Sequence, residues 1–146
     1  MHLIRWIALG CTLCLPALGA GAEGAYTDAQ AARGKQAFGQ YCVECHHGSL
    51  RGSAHGPALV GSAFAAHWGA KTTGELATFV QTQMATTVPA SAGADVFADL
   101  AAYVLQANGA PAGGATLTAS ATMPVGSVLG TAAAIPVASA LSLIHI

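Results

Sequence analysis

Cys42 and Cys45 are two thiols separated by two residues, and His46 follows directly in the run Cys42-Val43-Glu44-Cys45-His46. These residue types at this spacing suit the covalent attachment of a c-type haem. A single turn of chain can present both thiols to the two vinyl groups of a porphyrin. The next residue then offers its imidazole to the iron from one face, as the proximal ligand. Two other uses of the same run stay open, a redox-active dithiol and half of a zinc site. A second Cys-x-x-Cys, formed by Cys11 and Cys14, is followed by Leu15 where haem attachment needs histidine.

An electron-transfer haem takes a second axial ligand, normally Met or His. Thioether sulfur is soft and uncharged, and it favours ferrous iron. Of the three methionines, Met1 belongs to an N-terminal segment that reads as removable. Met84 ends a helix pattern and precedes the last one, so the intervening chain can wrap a porphyrin and return to its other face. Met123, followed by Pro124, lies beyond the last helix pattern in a Gly/Ala-rich stretch with little packing to aim it. Met84 is therefore the candidate distal ligand. The ordinary alternative is a methionine that only fills the core, with His55 or His67 holding the iron instead. His47 adjoins the proximal ligand and cannot readily reach the opposite face.

The elements that must position these groups are helical. Thr27-Asp28-Ala29-Gln30 is a capping box that opens a helix reaching to about Gln40. Gly34 sits inside it, at a cost of about 1 kcal/mol relative to Ala, which close approach by another helix would explain. From His47 to Gly61 the glycines, serines and Pro57 predict a loop, and Gly56-Pro57-Ala58-Leu59 is a rigid turn followed by apolar side chains. Phe64 and Trp68 fall on a short helix and are large enough to wall a cofactor. A second capping box, Thr72 with Glu75, opens a helix to about Gln83 with Leu76, Phe79 and Val80 as its buried stripe. Ala85 to Gly93 has neither helix nor strand pattern. Asp95 to Ala107 is the clearest helix, with Phe97, Leu100, Ala101, Val104 and Leu105 along one face and Asn108-Gly109 as its stop.

The remaining chain frames this domain. Residues 1–22 read as a secretory signal: His2 and Arg5, an apolar run from Trp6 to Leu18, and the small residues Ala20-Gly21-Ala22. The run falls short of the roughly 20 residues that a spanning helix needs, so no stable membrane span is expected after cleavage, whereas a retained signal would anchor the chain in the membrane. Residues 23–112 form the domain. Residues 113–140 are rich in Ala, Gly, Ser and Thr without charge, and are expected to be a tail or linker. Residues 141–146, Leu141-Ser142-Leu143-Ile144-His145-Ile146, coincide with translated sequencing-adapter sequence and are read as a scar foreign to the fold. Hydrophobic residues make up 53% and charged ones 8%, with a formal net charge of −1. No basic stripe exists for nucleic acid to bind.

Together these motifs resemble a class I cytochrome c domain, and in particular the small exported cytochromes and cytochrome subunits of quinoprotein alcohol dehydrogenases. Gly34, Phe38, Cys42 to His46, Gly56 to Leu59, Phe64, Trp68, Met84, Ala101 to Leu105 and Asn108-Gly109 carry the resemblance. It implies a small all-α cytochrome c fold, about four helices around one covalently bound haem, with the first and last helices crossing nearly at right angles. Gly34, Phe38 and Tyr103 would pack at that crossing. The cofactor-binding residues would be Cys42, Cys45, His46, Pro57, Leu59, Trp68 and Met84, with His46 and Met84 on the metal. The Pro57 carbonyl would accept a hydrogen bond from the His46 ring, and Trp68 would sit near a haem propionate. The chain departs from the common Met-Pro pattern, because Ala85 follows Met84.

The function so implied is single-electron transfer, not catalysis. A periplasmic dehydrogenase, of the quinoprotein type by resemblance, would be the donor, and an oxidase or another cytochrome the acceptor. The competing class is a haem enzyme or gas sensor with an open distal site. A peroxidase-like site would want a distal His and Arg, and neither Arg33 nor Arg51 has such a setting.

Overall fold

A computed structural model describes residues 24–129. The proposed signal, Cys11 and Cys14, and residues 141–146 lie outside them. In chain order the helices are α1 (Asp28–Tyr41), α2 (Val43–His46), α3 (Ser62–Trp68), α4 (Thr73–Met84), α5 (Val96–Ala107) and α6 (Val125–Val128), with one 3-10 turn at Ala90–Ala92. Among the described residues there is no strand, only an isolated bridge between Thr72 and Pro124. The architecture is all-α. Four helices make up its body, and α2 and α6 add one turn each.

Both capping boxes form. Thr27 Oγ1 accepts from Gln30 N and Gln30 Oε1 accepts from Thr27 N, each at 3.3 Å. At α4, Thr72 Oγ1 accepts from Glu75 N at 3.1 Å while Glu75 Oε2 accepts from Thr72 N at 2.7 Å. Each box satisfies two backbone donors, one within the first turn and one at the cap residue itself.

The main helix contact is α1 against α5. Gly34 makes it possible, since a Cβ there would overlap the Asp99 carbonyl oxygen and stand 3.0 Å from Tyr103 Cβ. Phe38 and Tyr103 pack beside it with ring centroids 5.4 Å apart. A charged clamp crosses the same interface: Arg33 Nε and Nη2 donate to Asp99 Oδ2 and Oδ1 at 2.6 and 2.7 Å. Asp99 is buried on the α5 face that otherwise carries apolar side chains. The bidentate pair supplies both carboxylate oxygens with donors, which makes that burial tolerable.

Residues 113–129 do not behave as the tail or linker expected from composition. They lie against the helices as a strap, with Leu117, Val125 and Val128 buried. Gly113 N donates to Tyr26 O at 2.8 Å, and the buried Gln30 side chain both donates to Leu117 O at 3.0 Å and accepts from Leu117 N at 2.7 Å. Farther on, Thr73 N and Gly74 N donate to Met123 O and Ala121 O, while Val125 N and Gly126 N donate to Lys71 O and Gly69 O. The strap thus caps the first turn of α4 and ties itself to the end of α3. Its attachment is mostly backbone to backbone, so composition carries little sign of it. Met123 is accordingly half-buried against the core.

Candidate haem site

Phe38, near the end of α1, and Cys42, just beyond it, face a cavity of about 360 Å3. His46 of α2, the Pro57–Leu59 turn, Phe64, His67 and Trp68 of α3, the α4 residues Leu76, Phe79, Val80 and Met84, and Leu100 and Val104 of α5 complete its wall. Every helix of the body therefore contributes, and almost all of the contributed side chains are apolar. Of the residues expected to bind a cofactor, Cys42, His46, Pro57, Leu59, Trp68 and Met84 line this one cavity. Cys45 is half-buried beside it and is not part of the lining.

His46 is 6% exposed, and its Nδ1 lies 2.8 Å from the Pro57 carbonyl oxygen. A carbonyl can only accept, so Nδ1 carries the proton and Nε2 keeps the lone pair a metal needs. The loop holding that carbonyl is itself tied down. Gly52 N donates to His46 O at 3.1 Å and Leu59 N to Leu50 O at 2.8 Å, while Ser53 Oγ donates to Cys45 O.

No disulfide joins the two cysteines. Burial pushes the Cys42 thiol up to about 11, and the neighbouring Cys45 adds to the rise. A disulfide oxidoreductase needs the opposite, a thiolate stabilised near neutral pH. Among the described residues no group of three or more His, Cys, Asp or Glu side chains stands together as a metal cage. The raised Cys42 thiol counts against the redox-dithiol reading of the motif. The apolar cavity, an oriented buried imidazole and two adjacent thiols match the chemistry of a covalently held haem. In that arrangement Cys42 and Cys45 would form the thioethers and His46 would ligate the iron.

The other candidates separate. Met84 and His67 reach the cavity wall, whereas Met123 and the exposed His55 do not. His67 is also engaged elsewhere, with its Nε2 3.1 Å from Lys71 Nζ and its ring edge-on to Trp68 at 5.3 Å. Lys71 Nζ in turn sits 4.5 Å over the Trp68 ring.

The helical period of α4 puts Leu76, Phe79 and Val80 on one stripe expected to be buried in helix packing. Leu76 is buried, but Phe79 is 43% exposed, because it faces the cavity and stacks edge-on against Trp68 at 5.1 Å. Cavity walls and core look alike in a helical period, so only the number of helices available to cover them could have signalled the difference.

Residues 29–104, just over half of the chain, match the family model described as Cytochrome C oxidase, cbb3-type, subunit III. No curated protein and no solved structure matches the chain. The matched span runs from the first turn of α1 to Val104 of α5 and contains every residue assigned above to the site.

Proposed function

The chain belongs to that cytochrome c family and carries a class I cytochrome c domain with covalently bound haem c, and on that footing we propose that it is a mono-haem electron carrier, or the cytochrome subunit of a redox complex, with His46 and Met84 as axial ligands. When bound, the haem supplies a reversible Fe(III)/Fe(II) couple. The residues of the chain hold and orient it. Cys42 and Cys45 fix it covalently, and the Pro57 carbonyl holds the His46 ring in the tautomer that exposes Nε2. Met84 offers a thioether from the α4 end of the same wall, and Leu59, Phe64 and Trp68 keep water from its faces. Residues 1–22 serve as an export signal on this reading, and the carrier works in the periplasm. It accepts electrons from a dehydrogenase, of the quinoprotein type by resemblance, and delivers them to an oxidase or another cytochrome. With Arg5 lost with the signal, four basic residues face six acidic ones, and a net charge of −2 offers little long-range steering, so docking relies on short-range contact. No helix among the described residues is long and apolar enough to cross a membrane.

The observation that carries this reading is the buried His46, aimed by Pro57 into a cavity that Met84 also lines. A pyridine haemochrome spectrum of the protein matured with haem should show two thioether links. Met84→Ala should then lower the reduction potential, abolish the far-red sulfur-to-iron band of the ferric protein and let the ferrous protein bind carbon monoxide. Met123→Ala should do none of these. A Met84→Ala protein that keeps its six-coordinate spectrum and potential would refute the ligand assignment, and His67, on the same cavity, would be tested next. A wild-type protein that binds carbon monoxide at once would favour the open-site reading.

A further inference from the structure

We propose that Asn108 is a positioning residue for the proximal ligand, acting through the stretch of backbone it holds at residues 59–61; the inference rests on the haem reading above. Asn108 is the C-cap of α5, and its amide reaches in three directions. Its Oδ1 accepts from Gly61 N at 3.0 Å, and its Nδ2 donates to Leu59 O and to Val104 O, both at 2.8 Å. Oxygen faces a donor and nitrogen faces two acceptors, so the orientation of the amide is fixed by its partners. Both amide protons are used. The side chain is anchored to its own helix and grips the loop before and after Val60.

That grip falls where the loop has little else. No regular structure lies between α2 and α3. Gly61 has φ 89° and, as N-cap of α3, has no side chain with which to cap the helix. The backbone ties of this stretch are Leu59 N to Leu50 O and, into the first turn of α3, Ala65 N to Gly61 O. Two residues upstream of Leu59 is the Pro57 carbonyl that accepts from His46 Nδ1. Immediately downstream α3 begins and carries Phe64 and Trp68 to the cavity. One amide at the end of α5 therefore sets two things, the carbonyl that orients the proximal imidazole and the start of the opposite wall. A hydrogen bond from Nδ1–H to a carbonyl makes an imidazole a stronger donor to a metal. If the 59–61 stretch slackens, that bond lengthens, His46 stabilises ferric iron less, and the potential rises.

The test compares Asn108→Leu, of similar size without hydrogen bonds, with Gln106→Gly, an exposed substitution that weakens the same helix without touching the loop. Each is made in the full chain matured with haem, after the wild-type haemochrome spectrum has been recorded. Hydrogen exchange at Gly61 N–H and at His46 Nδ1–H is followed by NMR, together with the reduction potential. Asn108→Leu should speed exchange at both sites at least tenfold beyond the Gln106→Gly effect, and should raise the potential. Gln106→Gly should leave the potential where it is. Equal acceleration at all amides, or an accelerated Gly61 with an unchanged His46 and potential, would overturn the proposal. If Asn108→Leu does not mature, Asn108→Ser, too short to bridge Leu59 and Gly61, is read in the same way. Absence of haem c from the wild type would instead remove the functional reading, so the two failures are distinguishable.

Discussion

Gly34→Ala and Gly39→Ala make the same chemical change in the same helix and should move stability in opposite directions. In the interior of a helix, Gly to Ala ordinarily gains about 1 kcal/mol, because the glycine backbone loses more freedom on folding. A Cβ on Gly39 meets nothing within 4 Å, so Gly39→Ala should show some of that gain. A Cβ on Gly34 overlaps the Asp99 carbonyl oxygen and stands 3.0 Å from Tyr103 Cβ. That oxygen belongs to the α5 backbone and cannot turn aside without breaking the helix. The helices must instead separate by well over an ångström, enough to be felt throughout a close-packed interface. Separation would loosen the Phe38–Tyr103 pair and pull Arg33 from its 2.6 and 2.7 Å contacts with Asp99. Overpacking of this kind costs about 1–3 kcal/mol. With the upper end of that range offset by the gain in propensity, the net loss is about 2 kcal/mol, or a fall in Tm of roughly 8–16 °C for a domain of this size. Thermal and guanidinium unfolding of the haem-loaded proteins, followed by far-ultraviolet circular dichroism, would measure both variants. If Gly34→Ala proves as stabilising as Gly39→Ala, the close approach of α1 and α5 is wrong, and with it the placement of Phe38 on the cavity.

Three further outcomes follow from single contacts. Cys42→Ser and Cys45→Ser should each leave at most one thioether, read as a shifted haemochrome band and, in the double variant, as haem released by acid extraction; full retention in the double variant would refute covalent attachment at these residues. Gln30→Ala removes both partners of the buried Leu117 backbone and should cost about 2 kcal/mol or more, with limited proteolysis cutting first after residue 112; uniform cleavage across the domain would refute the strap. Glu75 is held below the ordinary carboxylate value of 4.5, first by the backbone hydrogen bond from Thr72 and then by the Thr72 side chain, with Lys71 assisting. A depressed folded value means stability that is present above the unfolded pKa and lost as pH falls through the folded one. The advantage of wild type over Glu75→Gln should therefore hold at neutral pH and fade in melts taken below about pH 4.5; a difference that grows with acidification would contradict the cap.

What was legible in the chain was what neighbouring residues decide among themselves. Thr27 with Gln30 and Thr72 with Glu75 are three residues apart, and each box closes as its spacing implies. The helices they open end within a residue or so of the expected places. Cys42, Cys45 and His46 were legible for the same reason, since one turn of chain holds all three. Arg33 and Asp99 were not, being brought together only when α1 crosses α5. An aspartate on the apolar side of a helix was the signal available for that pair. The strap was least legible because backbone atoms, which every residue has, make most of its attachments. Gln30 joins the two kinds of information. Its position three residues after Thr27 identifies it as the returning half of a capping box. Yet the same Oε1 that accepts from Thr27 N also accepts from Leu117 N, and its Nε2 donates to Leu117 O. A residue chosen for a local cap thus also specifies where a distant, uncharged segment lies. That segment supplies the Met123 and Ala121 carbonyls to Thr73 N and Gly74 N, so the helix bearing Met84 is capped partly from outside its own sequence.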